Sequence, residues 1–516
     1  SLRPAHMPYL FPEVFLRDNP GFDSLVGNPP WEEVMLEEPR FWLRVRPGLY
    51  GLKPQEMATE LERLRGEYPH LVEQLQLEQK SVANIRSTLI SGPFPGLGKG
   101  DVDLYKVFSW RNWQLLRRNG RTGLVVPKSL VSSAGSFEWR QQVFENSRCE
   151  LTYLINTGRW VFEAVHAQYS IVLMSLSKQE KLSDYPLKIN GLFHSLEGFD
   201  DGKLDFGELP ISIVKQFSRN YSVPVLSDFE SIEVFRVFGS GERLDSTTNF
   251  SFVPVTEFHA TNDRKVFDTG SRGDTSSWPV IGGSGFNIWE PQPSEVYAYA
   301  VADPALSYLL SKRENQARNS RSAFNRLSPE VIKDPKKLEA LHPRVAFRDV
   351  TNSVDYRTVI AALIPSKTFL TNSAPYLLRV RGTIEDEAFI LGVLCSLPLD
   401  WIARKFVVLH LNFHILNSLP IPRLSPQDSR FRRIVAVVGG LISFARTSPE
   451  WVSQLSQAPI SIRNKPEREA AIAELDALVA SAYGLEEKHL HHIFRTFHKT
   501  WDYTQRLADA IEYLRG

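Results

Sequence analysis

Asn28, Pro29, Pro30 and Trp31 stand in a row directly after the apolar run "FDSLV". Together these residue types can hold a flat ring that carries an exocyclic amino group. Two successive prolines stiffen an extended turn and remove two backbone donors. The Asn28 side-chain oxygen and the neighbouring carbonyls are left as acceptors for the N–H bonds of an NH2 group. Trp31 adds a π face on which a planar heterocycle stacks. The tetrapeptide by itself also fits a proline-stiffened loop with a packed tryptophan, so the surrounding elements decide between the two.

Those elements read as α/β. "FDSLV" is a buried strand, "DLYKVFSWRNWQLLRR" has helical spacing up to the turn signal "NGR", and "TGLVVP", "ELTYLI" and "YSIVLMSLS" are strands around the helix "SFEWRQQVFENS". Alternation of this kind predicts a doubly wound sheet, in which ligands bind beyond the carboxyl ends of the strands. The Asn-Pro-Pro-Trp loop falls at such an end. The charged stretch from Pro54 to Leu89, interrupted at Pro69, reads as a helical insertion. Three regions follow: 1–180, an incomplete Rossmann-like sheet with its insertion at 54–90; 181–425, mixed short strands and polar loops; and 426–516, almost wholly helical.

At 516 residues the chain exceeds one hydrophobic core. Its net charge of +1 neither requires nor excludes a nucleic-acid partner, because a groove can be basic in a balanced molecule. Cys149 and Cys395 stand far apart in no metal-binding spacing and fit a reducing, cytoplasmic setting. No apolar run approaches a membrane span.

Some glycine and histidine clusters imitate sites. "GPFPGLGKGD" (Gly92 to Asp101) has prolines where a phosphate loop needs a strand, and lacks the Ser or Thr after Lys; a mobile loop beside the site fits it better. "IGGSGF" reads as a turn. "HLHHIFRTFH" (His489 to His498) has no cysteine or carboxylate at ligand spacing and lies on an amphipathic helix, which favours packed or solvated histidines over a metal.

The motifs occur in an order that resembles the gamma-class N6-adenine DNA methyltransferases of type IIG restriction–modification and related phage-defence systems. "FPEVF…GFDSLVGNPPW" is similar to that family's catalytic strand and loop, "GDVDLYKVF" to its next motif, "NGRTGLVVPKSLVSS" to the following strand and loop, and "LINTGRWVFEAVHAQYSIVLM" to its last catalytic motif. "PRVAFRDVTNSVDYRTVIAALIP" and "LNFHILNSLPIPRL" look like a target-recognition region, and "ELDALVASAYGL" like the helical close. The resemblance covers nearly the whole chain.

It implies methyl transfer from S-adenosylmethionine to N6 of an adenine flipped out of double-stranded DNA. Asn28 and the Pro29 carbonyl would accept the amino N–H bonds, Pro30 would hold the turn, and Trp31, where the family more often has Tyr or Phe, would stack on the base. Phe162 fits either the ring on the base's other side or a core phenylalanine. Asp103, Tyr105 and Asn28 correspond to the cofactor and base pocket, although Asp103 equally suits a helix N-cap. Lys128 and Ser129 lie where a loop approaches DNA, or on an ordinary surface. Arg344, Arg348 and Arg357, with Thr351 and Asn352 between them, are placed as readers of bases or phosphates. "SKRENQARNSRSAFNR" offers five basic residues against one Glu, either as a backbone track or as a solvated face.

One family feature is missing. The glycine-rich F-x-G-x-G turn that grips the cofactor does not precede Asn28, and "VAVVGGLISF" has a helical pattern. The expectation is therefore an upstream polypeptide or a second chain that completes the cofactor site. The alternative is a DNA-recognition or scaffold subunit of a phage-defence complex with no methylation of its own. A protein- or RNA-directed aminomethyltransferase shares the loop, but the long recognition region argues against it.

Overall fold

The computed structural model describes residues 5–179, 185–226, 228–267, 269–290, 295–352, 355–407, 409–497 and 501–516. The chain divides into two compact units, Ser1–Phe229 and Glu230–Gly516.

The first unit is built on a six-stranded mixed sheet. Its strands are β1 (Phe22–Gly27), β2 (Leu116–Pro127), β3 (Ser147–Ile155), β4 (Ser170–Lys178), β5 (Leu187–Phe193) and β6 (Gly207–Leu209), in the spatial order β1-β2-β4-β3-β5-β6. β1 and β2 run parallel, as do β3 and β5, whereas β4 lies antiparallel between β2 and β3. β3 and β4 read as almost continuous apolar runs because they are central and covered on both faces. The sheet continues through β5 and β6, past the boundary at 180 expected from sequence texture. The "NGR" turn does not end the helix–strand unit either. Leu116 pairs with Phe22 and Arg121 with Ser24, so the intervening residues bulge out, with Asn119 at φ 61°.

The insertion forms the helices Pro54–Glu67 and Pro69–Ile90, and Pro69 starts the second because its missing N–H is no loss there. Phe41, Trp42, Leu49, Leu64 and Leu75 make its small core. A second cluster of Val34, Leu97, Val102 and Val107, flanked by Val82, Ile85 and Leu89, packs the insertion behind the Asn-Pro-Pro-Trp loop. The glycine-rich decoy belongs to this cluster through Leu97, and Lys99 pairs with Glu138.

In the second unit, Ala361–Ile364, Arg344–Phe347, Tyr376–Arg381 and Ser251–Val255 form an antiparallel sheet in that order. Ser277–Ile281 joins Ala298–Val301 and Phe369–Leu370 in another. The helices Ile384–Cys395, Ser429–Ala445 and Lys465–Tyr483 pack together beside them. "VAVVGGLISF" lies in the second of these helices, and a Cβ on Gly440 would stand 2.6 Å from the Ile460 carbonyl oxygen. Its glycines serve close packing. No helix among the described residues is long and apolar enough to cross a membrane.

Candidate active site

The loop begins where β1 ends. Asn28 is exposed, Pro29 buried and Pro30 exposed. No described residue donates a hydrogen bond to the Asn28 side chain or to the Pro29 carbonyl. Trp31, half-buried, is held from the next strand: its indole Nε1 donates to the Val125 carbonyl at 3.2 Å. The chain beyond is pinned as well. Leu104 N donates to Glu32 O and Val34 N to Val102 O, each at 2.9 Å, and Glu33 bridges Asp103. The loop is therefore rigid on both sides while its acceptors stay open.

The connection between β3 and β4 supplies two more rings. Phe162 meets Trp31 edge-on, with centroids 5.5 Å apart at 89°. Tyr169 lies nearly parallel to Trp31, at 5.6 Å and 18°. Contacts of this kind contribute about 0.5–1.5 kcal/mol each beyond area burial. Phe162 is half-buried and packs against Trp31, outside the sheet strands.

A residue that sequence reasoning passed over organises this connection. Asn156 is fully buried. Its Oδ1 accepts from Val161 N and Phe162 N at 3.0 Å, and its Nδ2 donates to Phe162 O at 2.8 Å and Val165 O at 2.9 Å. Its backbone N–H takes the Tyr169 carbonyl at 3.1 Å. The signal was present in "LINTGRW": a polar amide directly after a buried strand, then Gly158 in a left-handed turn at φ 65°. Asn156→Ala is expected to cost about 1–3 kcal/mol, because it orphans buried backbone groups. It should also loosen both rings, which a lower urea midpoint and faster amide exchange across 157–169 would register.

Tyr105 and Ser129 meet hydroxyl to hydroxyl at 2.7 Å, and burial holds the Tyr105 phenol well above its ordinary range. Asp103 occupies the N-cap position of the helix Leu104–Leu115 but makes no capping bond; its carboxylate pairs with Lys106 at 2.8 Å. Lys128 follows the end of β2. The residue is half-buried, its ammonium makes no ion pair with a described residue, and desolvation of that ammonium lowers its pKa to about 8. Asn28, Trp31, Phe162, Tyr169, Asp103, Tyr105, Lys128 and Ser129 all belong to the first unit.

The residues expected to read DNA in the second unit fare differently. Arg344 is buried, paired with Glu257 and donating to Thr368 O at 2.8 Å. Arg357 is buried on Asp400, Nε to Oδ2 at 2.7 Å. Neither guanidinium reaches solvent, so the expectation that these two contact bases or phosphates is corrected: both are internal ion-pair partners. Thr351 is buried too, its hydroxyl donating to Thr358 O. Arg348 is half-buried and donates to Phe286 O at 2.6 Å; Asn352 is half-buried and accepts from Asp355 N at 2.9 Å. Ser353 and Val354 lie outside the described residues. In the basic stretch, Arg313 is buried against the carbonyls of Ile332, Asp334 and Lys337, and Lys312 binds Asp263 and Glu257 O. Arg318, Arg321 and Arg326 remain exposed. His489 Nδ1 accepts from Glu486 N, a structural task; His498 lies outside the described residues.

No family model and no curated protein matches the chain. Among solved structures, it is similar to the Type IIL restriction-modification enzyme MmeI in complex with DNA, at 12% identity and a TM-score of 0.42, over 92% of this chain and 57% of that one. It is similar to the type IIG restriction endonuclease BpuSI at 12% identity and 0.30, over 84% and 52%, and to the DrdV–DNA complex at 10% and 0.30, over 96% and 56%. The chain thus spans a little over half the length of these solved chains.

Proposed function

We propose that this chain carries the catalytic loop and target-recognition part of a site-specific DNA methyltransferase, acting on N6 of an adenine turned out of the duplex, in restriction–modification or phage defence. The observation that supports it most is the pair of open acceptors, Asn28 Oδ1 and Pro29 O, next to an indole fixed by Val125. A scaffold role leaves that rigidly held pair, which no described residue engages, unexplained.

In this reading, the two acceptors take the two N–H bonds of the exocyclic amine and hold its lone pair out of conjugation with the ring. Trp31 stacks on the base, Phe162 limits its tilt, and Pro30 fixes the turn. Positioning and oriented acceptors supply the rate, without a strong base. S-adenosylmethionine, when bound, supplies the electrophilic methyl. Asp103 and Tyr105 commit their polar groups to Lys106 and Ser129, so they suit a wall of the cofactor pocket and not its grip. Lys128, Ser129, Arg348 and Asn352 remain proposed DNA contacts, joined by the exposed Arg318, Arg321 and Arg326.

The grip is assigned to an upstream polypeptide or second chain. Support comes from β1, which pairs only with β2 among the described residues, so its other edge presents free N–H and C=O groups. Val26 on this strand is 84% exposed, and Phe22 contacts Phe11 and Phe15, next to the exposed Tyr9, Leu10 and Leu16. An open strand edge within an apolar patch is surface that proteins ordinarily cover. The chain alone is expected to bind S-adenosylmethionine far more weakly than micromolar, and to gain micromolar binding and labelled-methyl transfer to duplex DNA when the completing polypeptide is co-expressed. Titration calorimetry and filter-bound label check this; micromolar binding by the chain alone would contradict it.

A further inference from the structure

We propose that Tyr169 is a placeholder: in the resting site its ring occupies the face of Trp31 that an extruded base takes, and it swings aside when the base arrives. The inference rests on the reading of Trp31 as the base platform and adds to it a residue that controls access.

The indole cannot turn away, since its Nε1 is tied to Val125 O. A ring with its centroid 5.6 Å away and only 18° from parallel therefore lies offset along one of its faces and takes part of the space a stacked base needs. Phe162, at 89° to the indole, makes an edge contact and not a parallel stack. What holds Tyr169 is its backbone: its N–H donates to His166 O at 3.0 Å and its carbonyl accepts from Asn156 N at 3.1 Å. Its hydroxyl makes no hydrogen bond with a described residue, and the residue is 40% exposed. The ring can therefore change rotamer without breaking a hydrogen bond or moving the connection. Stacking on Trp31 is the ring contact with a described residue that it gives up, and an adenine ring offers a larger face in exchange. A site that keeps its platform covered excludes water and small aromatic solutes until a base is presented.

The test uses the full chain and a single-stranded oligonucleotide with one 2-aminopurine, whose fluorescence falls on stacking. Tyr169→Ala should bind this probe about three- to tenfold more tightly than wild type, by removal of a competing stack of ordinary strength. Tyr169→Phe, which keeps the ring and loses only the unpartnered hydroxyl, should match wild type. Trp31→Ala should weaken binding and abolish the quench. If Tyr169→Ala binds equally or more weakly while Trp31→Ala still loses the quench, the placeholder is overturned and the platform stands. If Trp31→Ala leaves the quench intact, the platform reading fails and takes the placeholder with it.

Discussion

Asp400→Ala is expected to remove about 3–5 kcal/mol from the stability of the second unit, read as a lower urea midpoint. Asp400 is fully buried. Its carboxylate accepts from Arg357 Nε at 2.7 Å, Thr358 N at 2.9 Å and Val359 N at 2.6 Å. Arg357 also donates to Cys395 O at 2.8 Å and Ser396 O at 3.2 Å. Burial works against the Arg357 charge, and the Asp400 carboxylate more than offsets it, holding the guanidinium above its ordinary pKa. Removing the carboxylate strands a buried cation and two backbone N–H groups together. Replacing both partners by apolar residues, Arg357→Met with Asp400→Leu, should cost less than Asp400→Ala alone, since it leaves the two backbone N–H groups unpaired but no buried cation. A loss below about 1 kcal/mol for Asp400→Ala would mean that the pair is hydrated and Arg357 accessible after all.

Arg357 also shows where sequence reasoning stopped. An arginine between "DY" and "TVIAALIP" looks like a reader if the segment is a surface loop. The carboxylate that buries it lies 43 residues onward, in the helix Leu397–Arg404. Pairing across such a distance leaves no local trace. The same holds for Arg344 and Glu257, 87 residues apart. A better local signal existed, since both arginines border runs that are buried throughout, "VAF" and "TVIAALI". A basic residue at the end of a fully buried strand tends to be matched inside the protein.

The first unit was more legible. A strand, two prolines and an indole define the loop from local chemistry, and the break at Pro69 marks the paired helices. The expectation that "FDSLV" is buried is corrected, since β1 is an edge strand with no buried residue and Val26 is 84% exposed. The antiparallel placement of β4 was not visible, because "SIVLMSLS" has the same apolar pattern in either direction. Asn156 and Tyr169 were missed for related reasons. An asparagine after a strand usually caps a turn, and a tyrosine before one usually packs. Only the folded connection brings the amide under Phe162 and the phenol over Trp31.

In the proposed function, Asn28 grips the amino group that receives the methyl. Asn28 is exposed and bonded to no described side chain, so Asn28→Ala should leave folding unchanged. Loss of one of two oriented acceptors should then lower the transfer rate by at least about 10²-fold, the scale on which a single preorganised polar group acts in a reaction centre. The direct measurement is mass spectrometry of nucleosides from duplex DNA incubated with S-adenosylmethionine and the chain together with its completing polypeptide. N6-methyladenine is expected with the wild-type loop and at most a trace with Asn28→Ala at equal DNA binding. Undiminished N6-methyladenine from Asn28→Ala would contradict it.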